Sequence, residues 1–179
     1  MKKLPLLPCL LLLLDFAISA PANDWPSWRG PGGDGKLPDA TTYPTQWSAK
    51  EHIAWRVDLP DRGNSSPVVF GNRVFLTQSE NKGQQRSLIC FDAKDGKTLW
   101  KKTIDYGKIE ETHQTNPHCP ASPVTDGTLV FAWHGNAGLH AYDFEGNEKW
   151  SRDLGTDYAH IWGPHAASPV LLGSGLIIH

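Results

Sequence analysis

Five histidines and one tryptophan stand in polar or Gly- and Pro-rich stretches between apolar segments. They are His113, His118, His134, His160, Trp162 and His165. An imidazole can bind a metal, exchange a proton near neutral pH or hydrogen-bond a polar ligand. We therefore treat these six residues as candidate ligand-binding residues. The alternative is that the histidines are solvated or bonded to nearby backbone and that the indole only caps a sheet.

The spacing of these residues does not favour a metal centre or a known catalytic device. The sequence contains no Cys-x-x-Cys and no His-Glu-x-x-His, the spacings typical of zinc sites. No Ser-His-Asp set or pair of catalytic carboxylates can be assembled from it. Glu110 and Glu111 are predicted to be a solvated loop pair. We predict no metal site and assign no catalytic residue.

The first 22 residues have the pattern of a secretory signal peptide. Lys2 and Lys3 precede an apolar run, and Ala20-Pro21-Ala22 fits signal peptidase cleavage after Ala22. The run is shorter than the about 20 residues of a membrane-spanning helix. We expect export to the periplasm or the extracellular space without a stable membrane anchor.

Charge and cysteine content narrow the partners and the compartment. The net charge is −2, and loss of two lysines and one aspartate with residues 1–22 leaves −3. This mild acidity argues against nucleic acid and leaves a protein or a small polar ligand as partner. Cys90 and Cys119 could form a disulfide in an oxidising compartment. Alternatively, Cys90 is a small buried residue and Cys119 a loop thiol.

The elements that position the histidines are read from an internal repeat. A Ser-Pro-Val triplet, a glycine five residues after the serine and an apolar strand three residues after the glycine together predict a hairpin. This unit occurs three times. The triplets begin at Ser66, Ser122 and Ser168, and the glycines are Gly71, Gly127 and Gly173.

A second half follows the first two hairpins. "LICFD", from Leu88 to Asp92, aligns with "LHAYD", from Leu139 to Asp143, and a Gly-containing turn then leads to a strand marked by Trp100 or Trp150. The two aspartates are expected to bond their own turns. Trp55 marks a similar strand. An aliphatic residue follows each tryptophan by four positions and should share its face; these are Leu59, Ile104 and Leu154.

One repeat is thus four antiparallel strands, A to D, with apolar residues on both faces. Such sheets must stack on one another, which predicts an all-β fold, a β-propeller of four-stranded antiparallel blades, with an open solenoid as the alternative. After an extended segment at 23–50, we expect a partial propeller over 51–179. It comprises an unpaired D strand at 53–59, full blades at 66–104 and 122–154 and a half blade at 168–179. We interpret this pattern as a fragment of a larger ring, whose exposed strand edges favour aggregation.

The antiparallel order also predicts which loops meet. Strand B ends where strand A begins, so the loops from D to the next A and from B to C lie at one end of the blades. These loops are residues 105–121, 155–167 and 133–139. All six candidate ligand-binding residues lie in them. The short Gly turns at the other end are predicted to be structural.

The triplet, the Leu-x-x-Asp turn and the following tryptophan resemble the PQQ-like (pyrroloquinoline-quinone-like) β-propeller repeat. The segment "WPSWRGPGGDG", from Trp25 to Gly35, is similar to the N-terminal run of exported bacterial members. The resemblance implies the propeller fold. It leaves function open, because the family includes both quinone-dependent dehydrogenases and cofactor-free propellers such as the outer-membrane assembly lipoprotein.

The resemblance implies that a dehydrogenase member would hold the quinone and calcium on the propeller axis, commonly beside a disulfide of adjacent cysteines. This chain has no Cys-Cys pair, and no set of calcium ligands is identifiable. The second repeat also departs from the pattern, because Asp143 to Gly146 is one residue shorter than Asp92 to Gly96. We expect a cofactor-free binding or scaffolding module. The alternatives are a PQQ- and calcium-dependent dehydrogenase and an envelope-assembly subunit.

Overall fold

The computed structural model describes residues 24–37, 43–155 and 166–179. Within these ranges the only helix is a 3-10 turn at Gly135–Ala137, so the predicted all-β class is confirmed. The strands are β1 (Val68–Phe70), β2 (Arg73–Glu80), β3 (Gln85–Asp92), β4 (Thr98–Asp105), β5 (Val124–Thr125), β6 (Leu129–Trp133), β7 (Leu139–Asp143), β8 (Glu148–Arg152), β9 (Val170–Leu172) and β10 (Gly175–Ile177).

These strands form two complete blades and a third, two-stranded sheet. The first blade has the order β1-β2-β3-β4 and the second β5-β6-β7-β8, and every neighbouring pair is antiparallel. β9 pairs with β10. Residues 53–59, predicted as an unpaired D strand, form no paired strand within the described chain, and their place in a blade stays a prediction. A strand needs a hydrogen-bonding neighbour, and the described chain places none beside them.

The middle strands of both blades are buried on both faces, because the second blade packs between the first blade and the third sheet, and the segment around Trp55 covers the other face of the first blade. Along β3, Leu88 and Cys90 point into the core shared with the second blade. Ile89 and Phe91 point to the opposite face, where Trp55 covers them. This alternation is the reason that the middle strand is apolar at consecutive positions.

Tryptophan side chains join consecutive blades. Trp100 on β4 donates its indole N–H to the Phe144 carbonyl of the second blade at 2.8 Å. Its ring lies against Gly146, where an added Cβ would be 2.9 Å from the ring. Trp55 repeats this contact on the first blade, donating to the Ala93 carbonyl at 2.9 Å. In each blade, the turn before the last strand therefore binds the tryptophan that precedes that blade in the sequence.

The serines of the Ser-Pro-Val triplets also connect the blades. The Ser66 backbone N–H donates to Ser122 Oγ at 2.8 Å, and the Ser122 N–H donates to Ser168 Oγ at 3.0 Å. Each hydroxyl thus accepts a bond from the preceding blade. This repeated bond sets the spacing of the first strands, which lie side by side.

The aliphatic residues four positions after the tryptophans pack less well than predicted. Ile104 is partly buried on the face of Trp100, but Leu59 and Leu154 are exposed. Both exposed leucines lie outside the strands, where the two-residue alternation that would place them under the indole no longer applies.

Residues 24–35, which we call the axial segment, line the inner edges of the first two blades. Trp25 pairs with Val69 of β1 through N–H···O bonds of 2.8 and 2.9 Å in the two directions. The Pro26 carbonyl accepts from the Thr125 N–H of β5 at 2.9 Å. Asp24 Oδ1 accepts from the Gly71 N–H at 2.7 Å. The segment therefore bridges the two innermost strands.

Candidate functional site

Loops from consecutive repeats meet at one end of the blades, which we call the rim. It comprises residues 61–66, 81–84, 106–123 and 134–138. Asn64 Nδ2 donates to the Thr115 carbonyl at 2.9 Å. This bond connects loop 61–66, which leads into the first blade, to loop 106–123, which leads into the second. The His118 ring lies against Gly83 of the β2–β3 loop. These contacts place the two predicted classes of loop together.

A buried ion pair between Arg86 and Glu110 lies at the centre of the rim. Arg86, at the start of β3, is fully buried, and its Nη2 donates to the Glu110 carboxylate. Its Nη1 donates to the His134 carbonyl, and its Nε donates to the Gly83 carbonyl at 3.0 Å. The Tyr106 ring packs on the guanidinium at 4.6 Å. One side chain thus joins three loops.

Glu110 completes this network as an acceptor. Its Oε1 accepts from the Tyr106 hydroxyl at 2.9 Å and from Asn136 Nδ2 at 2.7 Å. Burial alone would raise the pKa of this carboxyl, but the hydrogen bonds from Arg86, Asn136 and Tyr106 and the charge of Arg86 lower it below its ordinary 4.5. The prediction of a solvated pair is therefore wrong for Glu110, whereas Glu111 is exposed.

His134 and Cys119 form a buried pair beneath the network. His134 is 1% exposed, and its Nδ1 lies 3.7 Å from Cys119 Sγ. Burial, helped by the charges of His140 and Arg86, lowers the pKa of His134 to about 3, and burial raises the pKa of Cys119 to about 12. The imidazole is neutral and the thiol protonated at pH 7, so the pair is not an activated nucleophile and base. The His134 side chain does not reach the rim surface.

The other described histidines are bonded to nearby groups. His118 Nε2 donates to the Glu110 carbonyl at 2.9 Å, and the His118 carbonyl accepts from Ser79 Oγ at 3.2 Å. His113 Nδ1 is 2.8 Å from Thr115 Oγ1. The structure therefore brings His118 and His134 to one network and leaves His113 at its edge. Three candidate residues lie outside the described residues: His160, Trp162 and His165.

Cys90 and Cys119, the two cysteines among the described residues, do not form a disulfide. Cys90 lies in the core between the blades and Cys119 in the rim, and both are free buried thiols. Within residues 24–37, 43–155 and 166–179, no group of three His, Cys, Asp or Glu side chains is placed to hold a metal ion. No helix in these ranges is long and apolar enough to cross a bilayer.

Sequence reasoning missed the central residues of the rim, Arg86, Tyr106 and Asn136. One signal was present for the arginine. When Leu88 is aligned with Leu139, Arg86 falls opposite Ala137. A charged residue in a strand that is otherwise buried, without a counterpart in the second repeat, indicates a role particular to this blade.

The network connects the loops of the rim beneath their outer surface. The loops are held from below by a neutralised charge pair, which leaves Ile109, Glu111 and Gln114 exposed above it. Ile109 is 64% exposed next to the buried end of Glu110. One exposed aliphatic side chain is normal on a protein surface, but loops held on a scaffold are where binding residues concentrate, so the rim is the candidate contact surface.

Four-stranded antiparallel blades that stack face to face, with their first strands side by side, define a β-propeller of PQQ-like repeats. A family model described as "Outer membrane protein assembly factor BamB" matches residues 45–178. The chain belongs to this family.

The chain is similar to a curated protein and to two solved structures over part of their length. The outer membrane protein assembly factor BamB of Alkalilimnicola ehrlichii is 31% identical over 96 residues, which are 52% of this chain and 23% of that protein. BamB from Moraxella catarrhalis has a TM-score of 0.49 at 19% identity, covering 69% of this chain and 32% of its own. A quinohemoprotein alcohol dehydrogenase from Pseudomonas putida HK5 has a TM-score of 0.48 at 17% identity, covering 69% of this chain and 18% of its own. The chain thus spans about a quarter of the curated relative's length.

Proposed function

We propose that the chain belongs to an exported propeller that binds another protein through its rim and acts as a scaffold without a cofactor. The observation that carries this proposal is the internal use of the rim's reactive groups. The Glu110 carboxylate neutralises Arg86, and the His134 and Cys119 side chains are buried in their uncharged forms. These groups stabilise the loops, and the rim side chains that remain exposed for contact include Ile109, Glu111 and Gln114.

The chemistry of the rim also favours a cofactor-free propeller over a calcium- and quinone-dependent enzyme. Calcium requires six to eight oxygen ligands. The most enclosed rim carboxylate, Glu110, already accepts bonds from Arg86, Tyr106 and Asn136. Glu110 is therefore already used within the rim and is not free to bind calcium.

The name of the matching family suggests the class of partner. Its model and the curated relative are both described as an outer membrane protein assembly factor. We therefore propose that the partner is a component of the cell envelope and that residues 1–22 are a signal peptide. The mature protein is then expected to begin at Asn23, which mass spectrometry of the exported form measures.

Site-specific photo-crosslinking in the native envelope tests the proposed contact surface. A photoreactive amino acid replaces Ile109 on the rim of the full-length protein, and a matched variant carries it at Lys94, in the exposed β3–β4 turn at the opposite end of the blade. We expect a discrete crosslinked envelope protein from position 109 and none from position 94. Equal crosslinking from both positions, or none from position 109, would contradict the proposal.

Titration of the full-length protein with pyrroloquinoline quinone and calcium tests the absence of an enzymatic role. We expect neither a stoichiometric change in quinone absorbance nor dye-linked alcohol oxidation. Stoichiometric quinone binding accompanied by turnover would replace the scaffold with a dehydrogenase.

A further inference from the structure

The axial segment carries two exposed side chains, Trp28 and Arg29, that pack on each other. Trp28 is 54% exposed, and the Arg29 guanidinium lies 5.0 Å from its ring centroid. Within the described ranges, Arg29 has no carboxylate at ion-pair distance. An indole costs free energy when it is left in water, and tryptophan and arginine are enriched where proteins bind partners.

The loop that carries these side chains is ordered before any partner binds. Ser27 Oγ donates to the Gly30 carbonyl at 2.8 Å, and the Gly35 N–H donates to the Arg29 carbonyl at 2.9 Å. Gly30 has a φ of 74°, and an added Cβ would lie 2.6 Å from the Trp25 ring. Preorganisation of this kind reduces the entropy lost on binding.

Trp28 stands between two cavities near the propeller axis. On one side is a groove of about 610 Å³, whose opposite wall includes Val124, Val170 and Leu171. On the other side is a pocket of about 420 Å³ that includes Asn64 and Ser122. The groove is mainly apolar, and Val170 of β9 is 56% exposed in it.

The groove runs along an inner strand edge of the same kind that the axial segment already occupies. The axial segment bonds the backbone of β1 at Val69 and of β5 at Thr125. The next inner strand, β9, pairs with β10 on one side, and within the described residues no strand pairs with its other edge. Such an edge is a template for an added strand.

We propose that this groove binds an extended acidic peptide segment of a partner protein. The peptide backbone adds to the free edge of β9, an aliphatic side chain packs on Trp28, and a carboxylate pairs with Arg29. The site rests on the proposed scaffold function and adds to it a second contact, in a groove that adjoins the rim, together with the chemistry of the segment that is bound.

Charge reversal provides the sharpest test of this site. The probes are two dye-labelled peptides, one alternating valine with glutamate and one alternating valine with lysine, and fluorescence anisotropy measures their binding to the whole chain. We expect the glutamate peptide to bind more tightly, and Trp28→Ala to weaken it about tenfold or more. Arg29→Glu should reverse the preference in favour of the lysine peptide. Lys94→Glu, an exposed change of equal charge at the far end of the blade, should leave the preference unchanged.

Several results would overturn the proposal. They are the absence of binding, equal binding of the two peptides, an unchanged preference in Arg29→Glu, and competition by free glutamate as effective as that of the glutamate peptide. The last result would indicate a site for a small carboxylate without strand addition. Crosslinking from position 109 in the Trp28→Ala variant separates this proposal from the rim proposal, because the rim contact should persist when the axial contact is lost.

Discussion

At the scale of single residues, glycine marks the positions where one blade receives the indole of another. Gly146 has a φ of 83°, and an added Cβ would lie 2.9 Å from the Trp100 ring. Gly107 has a φ of 67° with no neighbouring atom within 4 Å of such a Cβ. Both positions require a positive φ, but only at Gly146 would a Cβ collide with neighbouring side chains. Comparing the two substitutions therefore isolates the effect of that collision.

Replacing Gly146 by alanine should therefore destabilise the protein more than the same change at Gly107. We expect a loss of about 3 kcal/mol for Gly146→Ala and about 1 kcal/mol for Gly107→Ala in the free energy of unfolding. Urea denaturation followed by far-UV circular dichroism measures both. Equal losses would show that the indole is not seated on this turn.

The Glu110 carboxylate should make stability depend on acid. Its pKa is lower in the folded protein than its ordinary 4.5, so it contributes stability above pH 4.5 that is lost as the pH falls through the lower folded value. Glu110→Gln should be less stable than the wild type at pH 7, and the difference should shrink progressively as the pH falls below 4.5. Unfolding curves of the two proteins across this range provide the measurement. The low pKa of His134 also destabilises the folded protein in acid, but His134 is present in both proteins, so this effect cancels in their difference. A constant difference at all pH values would contradict the role of the ion pair.

At the scale of the secondary-structure elements, the hydrogen bond from the backbone N–H of one triplet serine to the hydroxyl of the next should contribute measurably to the free energy of unfolding. Ser122 is buried, and its hydroxyl accepts from the Ser66 N–H. Ser122→Ala leaves that N–H without its acceptor and should cost about 1–2 kcal/mol. Ser151→Ala, on an exposed position of β8, should cost less than about 0.5 kcal/mol. Equal effects in urea denaturation would mean that the triplet serine has no special role.

The elements were largely predictable because the repeat encodes them locally. The Ser-Pro-Val hairpins and the Asp turns of both full blades follow from turn chemistry and alternation, and the fold follows from both faces being apolar. Whether residues 53–59 pair as a strand was not predictable, since pairing depends on a neighbour that the local pattern does not contain. The Arg86 network was missed for a similar reason, because its partner Glu110 lies 24 residues away in an irregular loop.

At the scale of the whole molecule, the third sheet leaves apolar surface in water. Leu172 of β9 is 70% exposed, Val170 and Ile177 are also exposed, and β10 has no further strand beside it in the described chain. Residues 23–179 alone should therefore self-associate as their concentration rises. Leu172→Lys should reduce this association in analytical ultracentrifugation, and Lys94→Glu should not. A monomer at all concentrations would contradict the prediction.

Cooperation between the blades follows from the shared core and the seated indole. Trp100 belongs to the first blade by sequence, yet its ring packs on Phe75 of its own blade and Tyr142 of the next. The two blades should therefore open together, since neither can keep one face buried without the other.

Native-state hydrogen exchange of the Leu172→Lys chain, with and without Trp100→Ala, tests this most directly. Loss of the indole should lower the protection of backbone amides in β3 and β7 by similar free energies, because both strands face the core that it fills. If exchange accelerates in β3 while β7 keeps its full protection, the blades are independent and the stacking of PQQ-like sheets through seated tryptophans is wrong for this protein.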